Sequence, residues 1–246
     1  KRQLFVNKRD ELLDYCRVDA WLTMKLYEKF GMGHFWEVAR FTHTFPQDVV
    51  HATTVVDSSF LSWMVHKAKR KFVLPKRGQW KYSAKVSKYD GATILEPAVG
   101  LHRNVFCFDF TSLYPTTMIT FNMGPDTFTD ENYDVSFTEG YGFTFSVESE
   151  FAAMLKEMLD RRLRYKRQRK NYPPDSFEYR KLDAKQNALK VIINSVYGVF
   201  NGAGFRFTNP KFAESVVNAA RQSLLTVKKI FELKGFKVLY GDSVSK

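Results

Sequence analysis

Apolar residues recur at helical spacing in several long stretches of the chain and gather into short runs in two others. In ELLDYCRVDAWLTMKLYEKFG, Leu12, Cys16, Ala20 or Trp21, Met24 and Tyr27 share one face, which predicts an amphipathic helix with Gly31 as its stop. A basic, loop-rich segment is expected next. NVFCFDF, residues 104–110, has the length of a strand and carries Asp109 near its end. From Phe151 to about Asn171, Leu155, Met158, Leu159 and Leu163 form a second helical stripe that Pro173-Pro174 breaks. A further helix is predicted from about Leu182 to Val196, with Gly198 near its end, so the two make a helical hairpin. The last long helix, roughly Lys211 to Leu233, stops at Gly235, which suits a left-handed cap, and FKVLYGD, residues 236–242, follows as a strand. The expected fold class is therefore α/β, with Asp109 and Asp242 at corresponding ends of two strands lying side by side.

Composition changes this picture only at its edges. A 44% hydrophobic content over 246 residues is ample for a packed core. No apolar run approaches the roughly 18 residues of a membrane span, and no charged-then-apolar leader opens the sequence, so no membrane partner is expected. Cys16 and Cys107 read as buried free thiols, which points to an intracellular setting without separating cytoplasm from nucleus. The chain opens at Lys1 without a methionine and stops four residues after Asp242, so a fragment of a longer protein is expected.

Charge matters more. The net charge of +12 is uneven: residues 156–190 hold twelve basic and five acidic side chains, and between Asp57 and Asp90 lie nine Lys or Arg and no acid. One-signed surfaces of this kind gather polyanions through counterion release, whereas a face kept for solubility intersperses both signs.

Two carboxylates meeting at neighbouring strand ends repel unless a cation lies between them, and Mg²⁺ is the common answer beside phosphates. Taken alone, each aspartate reads more readily as a turn cap. The hairpin sharpens the case. Arg162, Lys166 and Arg169 fall on one face of its first helix, and Gln186, Lys190, Asn194 and Tyr197 on one face of its second. Two facing stripes of this kind would hold a polyphosphate, with Arg as a two-donor fork and Lys as a point charge. The competing reading is a solvated basic face, which suits Arg167 and Lys170 better than Lys190, whose neighbours are Leu189, Val191, Ile192 and Ile193.

DFTSLYPTTMITFNMGPDT, from Asp109, resembles the first catalytic motif of family B DNA polymerases, and KVIINSVYG, Lys190 to Gly198, is similar to their fingers motif. YGD at 240–242 resembles the start of their third motif. YDGATILEPAVGL, from Tyr89, looks like their Tyr-x-Gly-Gly segment with Ala92 in the second glycine position, and YCRVDA, Tyr15 to Ala20, is similar to their last exonuclease motif. The five matches keep the family's order across nearly the whole chain.

The resemblance implies a palm with a mixed sheet and helical-hairpin fingers, preceded by the tail of a 3′–5′ exonuclease domain. The implied limits are 1–40 for the exonuclease tail, 41–103 for a connecting segment, 104–150 and 201–242 for the two parts of the palm, and 151–200 for the fingers. It implies DNA synthesis from deoxynucleoside triphosphates on primer-template DNA with two Mg²⁺ ions, and replication accessory proteins as further partners. Asp109, Asp242 and the Phe110 carbonyl would hold metal. Ser112, Leu113, Tyr114, Arg162, Lys166, Lys190 and Asn194 would bind the nucleotide, with Tyr114 beneath the sugar excluding a 2′-hydroxyl. Tyr89, Gly91, Tyr197, Gly198, Tyr240 and Gly241 would support the primer-template or the active site.

Two departures stand against the family pattern. Of the carboxylates that editing needs, only Asp19 is present, with Tyr15 as a water-orienting group. The third motif breaks after Asp242: Ser243, Val244 and Ser245 follow where Thr-Asp-Ser is expected. One explanation is loss of Thr-Asp. The other is an intein beginning at residues 243–246, whose splice nucleophile would be Ser243. A non-catalytic nucleic-acid-binding relative of a polymerase is the rival reading.

Overall fold

Helices dominate the computed structural model, which describes residues 8–30, 32–71, 73–79, 91–202 and 204–243, and one small sheet interrupts them. The amino-terminal pattern gives two helices, α1 (Arg9–Phe30) and α2 (Met32–Thr42), on either side of the expected stop. The segment read as loop-rich contains a third, α3 (Ala52–His66). Its buried face mixes Asp57 and Ser59 with Val55, Val56, Phe60 and Met64, so no clean apolar stripe marks it.

A short helix α4 (Leu113–Thr120) leads into an antiparallel sheet of β1 (Phe128–Thr129), β2 (Val135–Thr138) and β3 (Tyr141–Phe143), ordered β1-β3-β2. Phe128 and Val135 both stand opposite Phe143. The predicted hairpin follows as α5 (Glu150–Arg169) and α6 (Phe177–Val199), and the last helix is α7 (Pro210–Leu233). Side chains set the starts of all three. Ser149 accepts from the Ala152 amide, Ser176 from that of Tyr179, and Asn209 from that of Phe212, each at 3.1 Å, and Pro210 occupies the first turn of α7. Gly235 takes φ +82° just past α7, the left-handed stop its position predicted.

The core is a packing of phenylalanine rings. Phe200, at the end of α6, stacks on Phe212 of α7 with centroids 3.9 Å apart, while Phe151 of α5 meets Phe60 of α3 edge-on at 4.9 Å. Phe128 and Phe143 bring the sheet against the same rings, and Val38 extends the cluster to α2.

Neither predicted strand forms. Among the described residues 104–110 and 236–242 belong to no named strand, and Phe106 and Phe108 are about three-quarters exposed. The α/β expectation is thus corrected to a mostly helical fold with a small antiparallel sheet. An apolar run becomes a strand only where another offers its backbone groups, and among the described residues none pairs with 104–110. Cys16 and Cys107 are exposed, against the buried reading. No helix is long and apolar enough to cross a membrane among the described residues.

The basic segment after Asp57 also differs from expectation, because much of its charge is spent inside the molecule. Lys67 pairs with Glu157, Lys69 with Glu148 at 3.2 Å and Arg70 with Asp126 at 3.2 Å. Arg77 and Arg206 converge on the buried Asp57 at 3.3 and 3.1 Å. Asp126 also accepts from Ser149 Oγ (2.8 Å) and the Glu150 amide (2.7 Å), and burial pushes its carboxyl above the ordinary value. Asn122, in the left-handed region at φ +55°, completes this junction by donating to the Thr144 and Val147 carbonyls and accepting from the Ser149 amide, each at 2.8 Å.

Gly124 lies within the same junction, and a methyl group there would overlap Ser149 Oγ and Asp126 Oδ1 and press on Phe151 Cβ at 3.0 Å. Because Ser149 Oγ donates a hydrogen bond to Asp126 Oδ1, neither oxygen can move aside cheaply. Gly124→Ala is expected to lower stability by about 1–3 kcal/mol in urea denaturation.

Candidate active site

The turn carrying Asp109 reaches α4 through Ser112, whose backbone is left-handed at φ +53°. Asp109 and Phe110 are exposed. Thr116 fastens the turn by donating from its hydroxyl to the Thr111 carbonyl (2.6 Å) and from its amide to that of Ser112 (2.9 Å). Arg162 reaches across from α5, its Nη1 donating to Ser112 Oγ at 3.1 Å. Burial pushes the Arg162 guanidinium below its ordinary value, yet arginine stays charged through any physiological range.

Leu113 is half-buried beside this turn, and Tyr114 is buried. The Tyr114 ring lies 4.7 Å from that of Tyr197 on α6, tilted by 55°. The structure therefore brings Ser112, Tyr114, Arg162 and Tyr197 together from α4, α5 and α6. Lys166 stands exposed one turn beyond Arg162, and Gly198 is exposed in the last turn of α6.

Lys190 and Asn194 line an open groove of about 550 Å³ on α6 with Asn187, Ser195 and His34 of α2. Burial pushes the His34 imidazole below its ordinary value, which favours its neutral form near pH 7. Sequence reasoning missed His34, because nothing in the pattern of α2 announces a neighbour some 150 residues away in the chain. Arg169 and Gln186 leave the expected stripes: Arg169 pairs with Asp183 and lies over the Tyr179 ring, while Gln186 donates to Asp183 Oδ1 at 3.0 Å.

Asp242 is half-exposed, and its Oδ2 accepts from the Tyr240 hydroxyl at 2.6 Å, which holds that phenol above its ordinary value. Its backbone partner is not the Asp109 segment but the stretch after Gly91. Leu95 donates to the Gly241 carbonyl (2.7 Å), Ala98 to that of Leu239 (2.8 Å) and Ser243 to that of Thr93 (2.9 Å), with Ile94 opposite Asp242. The side-by-side placement expected for the strands bearing Asp109 and Asp242 is thus not found. Tyr89 lies outside the described residues. Tyr15 and Asp19 are exposed on α1 and joined by a hydrogen bond that raises the Tyr15 phenol. Ser243 is fully buried.

No group of three or more His, Cys, Asp or Glu among the described residues could hold a metal. Mg²⁺ does not require one: it commonly takes one or two carboxylates and completes its shell with water and substrate phosphate. The exposed oxygens of Asp109 and the half-exposed carboxylate of Asp242 are hard donors that fit it.

The sequence profile described as DNA polymerase family B matches residues 54–245. The chain belongs to DNA polymerase family B. It is 34% identical to the DNA polymerase of Archaeoglobus fulgidus over 242 residues, covering 97% of this chain and 30% of that protein. With DNA polymerase 1 of Pyrococcus abyssi it shares 31% identity over 241 residues, 95% of this chain and 31% of that protein. The solved structure of the family B DNA polymerase from the hyperthermophilic archaeon Pyrobaculum calidifontis superposes with a TM-score of 0.69 at 31% identity, over 96% of this chain and 31% of that one. The chain spans about 30% of the length of the family B relatives it matches.

Within this family B segment the cations of the hairpin are not equivalent. Arg169 is tied to Asp183 and Tyr179, whereas Lys166 is exposed. Arg169→Ala is expected to lower stability by about 1 kcal/mol, and Lys166→Ala to change it by less than about 0.5 kcal/mol. Chemical denaturation of the two variants in parallel checks the difference.

Proposed function

We propose that this chain supplies palm and fingers parts of a DNA-directed DNA polymerase, joining deoxynucleoside triphosphates to a primer 3′-hydroxyl on a DNA template. Beyond family membership, the observation that carries the reading is the meeting of Arg162 with Ser112 beside the Tyr114–Tyr197 pair. A guanidinium from one helix, a hydroxyl at a left-handed turn and an aromatic floor are the parts that a sugar-phosphate needs.

In this reading Arg162, Lys166 and Lys190 neutralise the triphosphate, the backbone at Ser112 and Leu113 contacts phosphate, and Asn194 approaches the nascent pair. Tyr114 lies under the sugar, held against Tyr197, where an added 2′-hydroxyl would meet its ring. Asp109 with the Phe110 carbonyl, and Asp242, would hold the metal ions. Mg²⁺ there would supply charge neutralisation for the attacking and leaving oxygens. Tyr240 orients the Asp242 carboxylate, Gly241 admits the close approach of Leu95 and Leu224, and Gly91 and Gly198 would support the primer-template. Residues 1–40 then derive from an exonuclease domain in which Tyr15 and Asp19 keep the last motif.

The rival is a binding module that keeps the basic faces without catalysis. One observation favours it: the residue after Asp242 is Ser243, buried and bonded to Thr93, where the family pattern places the residues that lead to a second aspartate. Among the described residues the hydrogen-bond partners of Ser243 are the Thr93 amide and carbonyl, neither of which is a base for a splicing step.

Primer extension by a polymerase carrying this segment separates the two. Asp109→Ala is expected to cut the rate by at least about a hundredfold, with DNA binding kept. A segment that binds DNA but never binds triphosphate in a Mg²⁺-dependent way belongs to the binding module instead. Tyr114→Ala is expected to raise ribonucleotide use relative to deoxynucleotide use by at least about tenfold, read from the ratio of kcat/KM values. Comparable use of both sugars before the substitution would remove Tyr114 from that role.

A further inference from the structure

Arg221 lies on α7, where neither the motifs nor the charge pattern singles out a residue. Its Nη2 donates to the Gly91 carbonyl at 3.1 Å, and its Nε donates to the Thr93 hydroxyl. One turn further along α7, Leu224 is buried on the same face. Its Cδ1 and that of Leu95 close over Gly241, where an added Cβ would come within 3.3 and 3.0 Å of them. One face of α7 therefore grips both members of the short ladder, residues 91–95 through Arg221 and residue 241 through Leu224.

Thr93 passes this grip to the third motif. Its amide donates to Ser243 Oγ at 2.8 Å and its carbonyl accepts from the Ser243 amide at 2.9 Å. Asp242 sits between this pair of hydrogen bonds and the Leu95–Gly241 hydrogen bond, directly opposite Ile94. The ladder is only a few residues long, and isolated pairs of that length open readily unless something external holds them. A guanidinium suits that task. Its planar fork reaches two acceptors on different residues at once and so fixes orientation as well as position, which a single ammonium cannot do.

We propose that Arg221 is a positioning residue: by clasping Gly91 and Thr93 to α7 it fixes, through the ladder, the backbone that presents Asp242. It touches neither nucleotide nor metal. The inference rests on the metal role given to Asp242 under the proposed function, and its structural half stands apart from that role.

The test uses the 246-residue chain with Mn²⁺ as the probe. Amide hydrogen exchange at Leu95 and Ser243 is measured beside Mn²⁺ affinity, by water-proton relaxation, for the wild type and for Arg221→Ala, Arg221→Lys and Asp242→Ala. Both Arg221 variants are expected to speed exchange at Leu95 and Ser243 by at least about tenfold while the amides of α7 stay protected. They are also expected to weaken Mn²⁺ binding by about tenfold with the unfolding midpoint kept. Unchanged exchange at Leu95 and Ser243 overturns the clasp, and so does faster exchange throughout α7 with a lowered midpoint. Local loosening with unaltered Asp242-dependent Mn²⁺ affinity overturns the link to the carboxylate. Should Mn²⁺ binding be absent in the wild type, or survive Asp242→Ala, the metal reading of Asp242 falls and exchange alone decides the clasp.

Discussion

The stack of Phe200 on Phe212 is the contact on which the rest of the arrangement depends. It joins the end of α6 to the start of α7 at 3.9 Å, and rings from α5, the small sheet and the 205–207 turn close around it. Phe200 lies three residues beyond Tyr197, so the same packing sets where the helical hairpin presents the Tyr197 ring to Tyr114. Offset ring packing is directional as well as apolar, which lets a cluster of phenylalanines orient helices where a core of leucines would only bury them. Helix position, and with it the spacing between Arg162 and the Asp109 turn, follows from that geometry.

The helical parts were legible because their signals are local. Ser149, Ser176 and Asn209 cap α5, α6 and α7, Pro173-Pro174 separates the hairpin, and Gly235 closes α7. The strands were not legible for the opposite reason. NVFCFDF has the composition of a strand but needs a neighbour to become one, while β1, β2 and β3 are two to four residues long and leave no period to read. α3 was lost because the buried Asp57 interrupts its apolar face, and the remote Arg77 and Arg206 make that burial tolerable.

Site residues divide along the same line. The motifs name Ser112, Tyr114 and Tyr197 and helical spacing names Arg162, and in the fold Arg162 meets Ser112 while Tyr114 packs on Tyr197. Charge counting was a poorer guide. Lys67, Lys69, Arg70, Arg77 and Arg169 all look like polyanion ligands in sequence, and each meets a carboxylate of the same chain. Residues 156–190 keep Lys166 and Lys190 exposed, so part of the cationic character of the hairpin survives folding.

The Arg162–Ser112 bond has an energetic meaning of its own. Part of the solvent shell of this guanidinium is already gone, removed when α5 packed against the turn, and a neutral hydroxyl holds its fork in place. An anion arriving there meets a cation that was dehydrated and aimed in advance, so less of the attraction is lost to stripping water or freezing a long side chain. Exchanging one hydroxyl for a phosphate oxygen leaves the number of hydrogen bonds unchanged and adds a full opposing charge. In the proposed nucleotide-binding role, folding would thereby bear a cost of recognition that a freely solvated arginine incurs at every encounter.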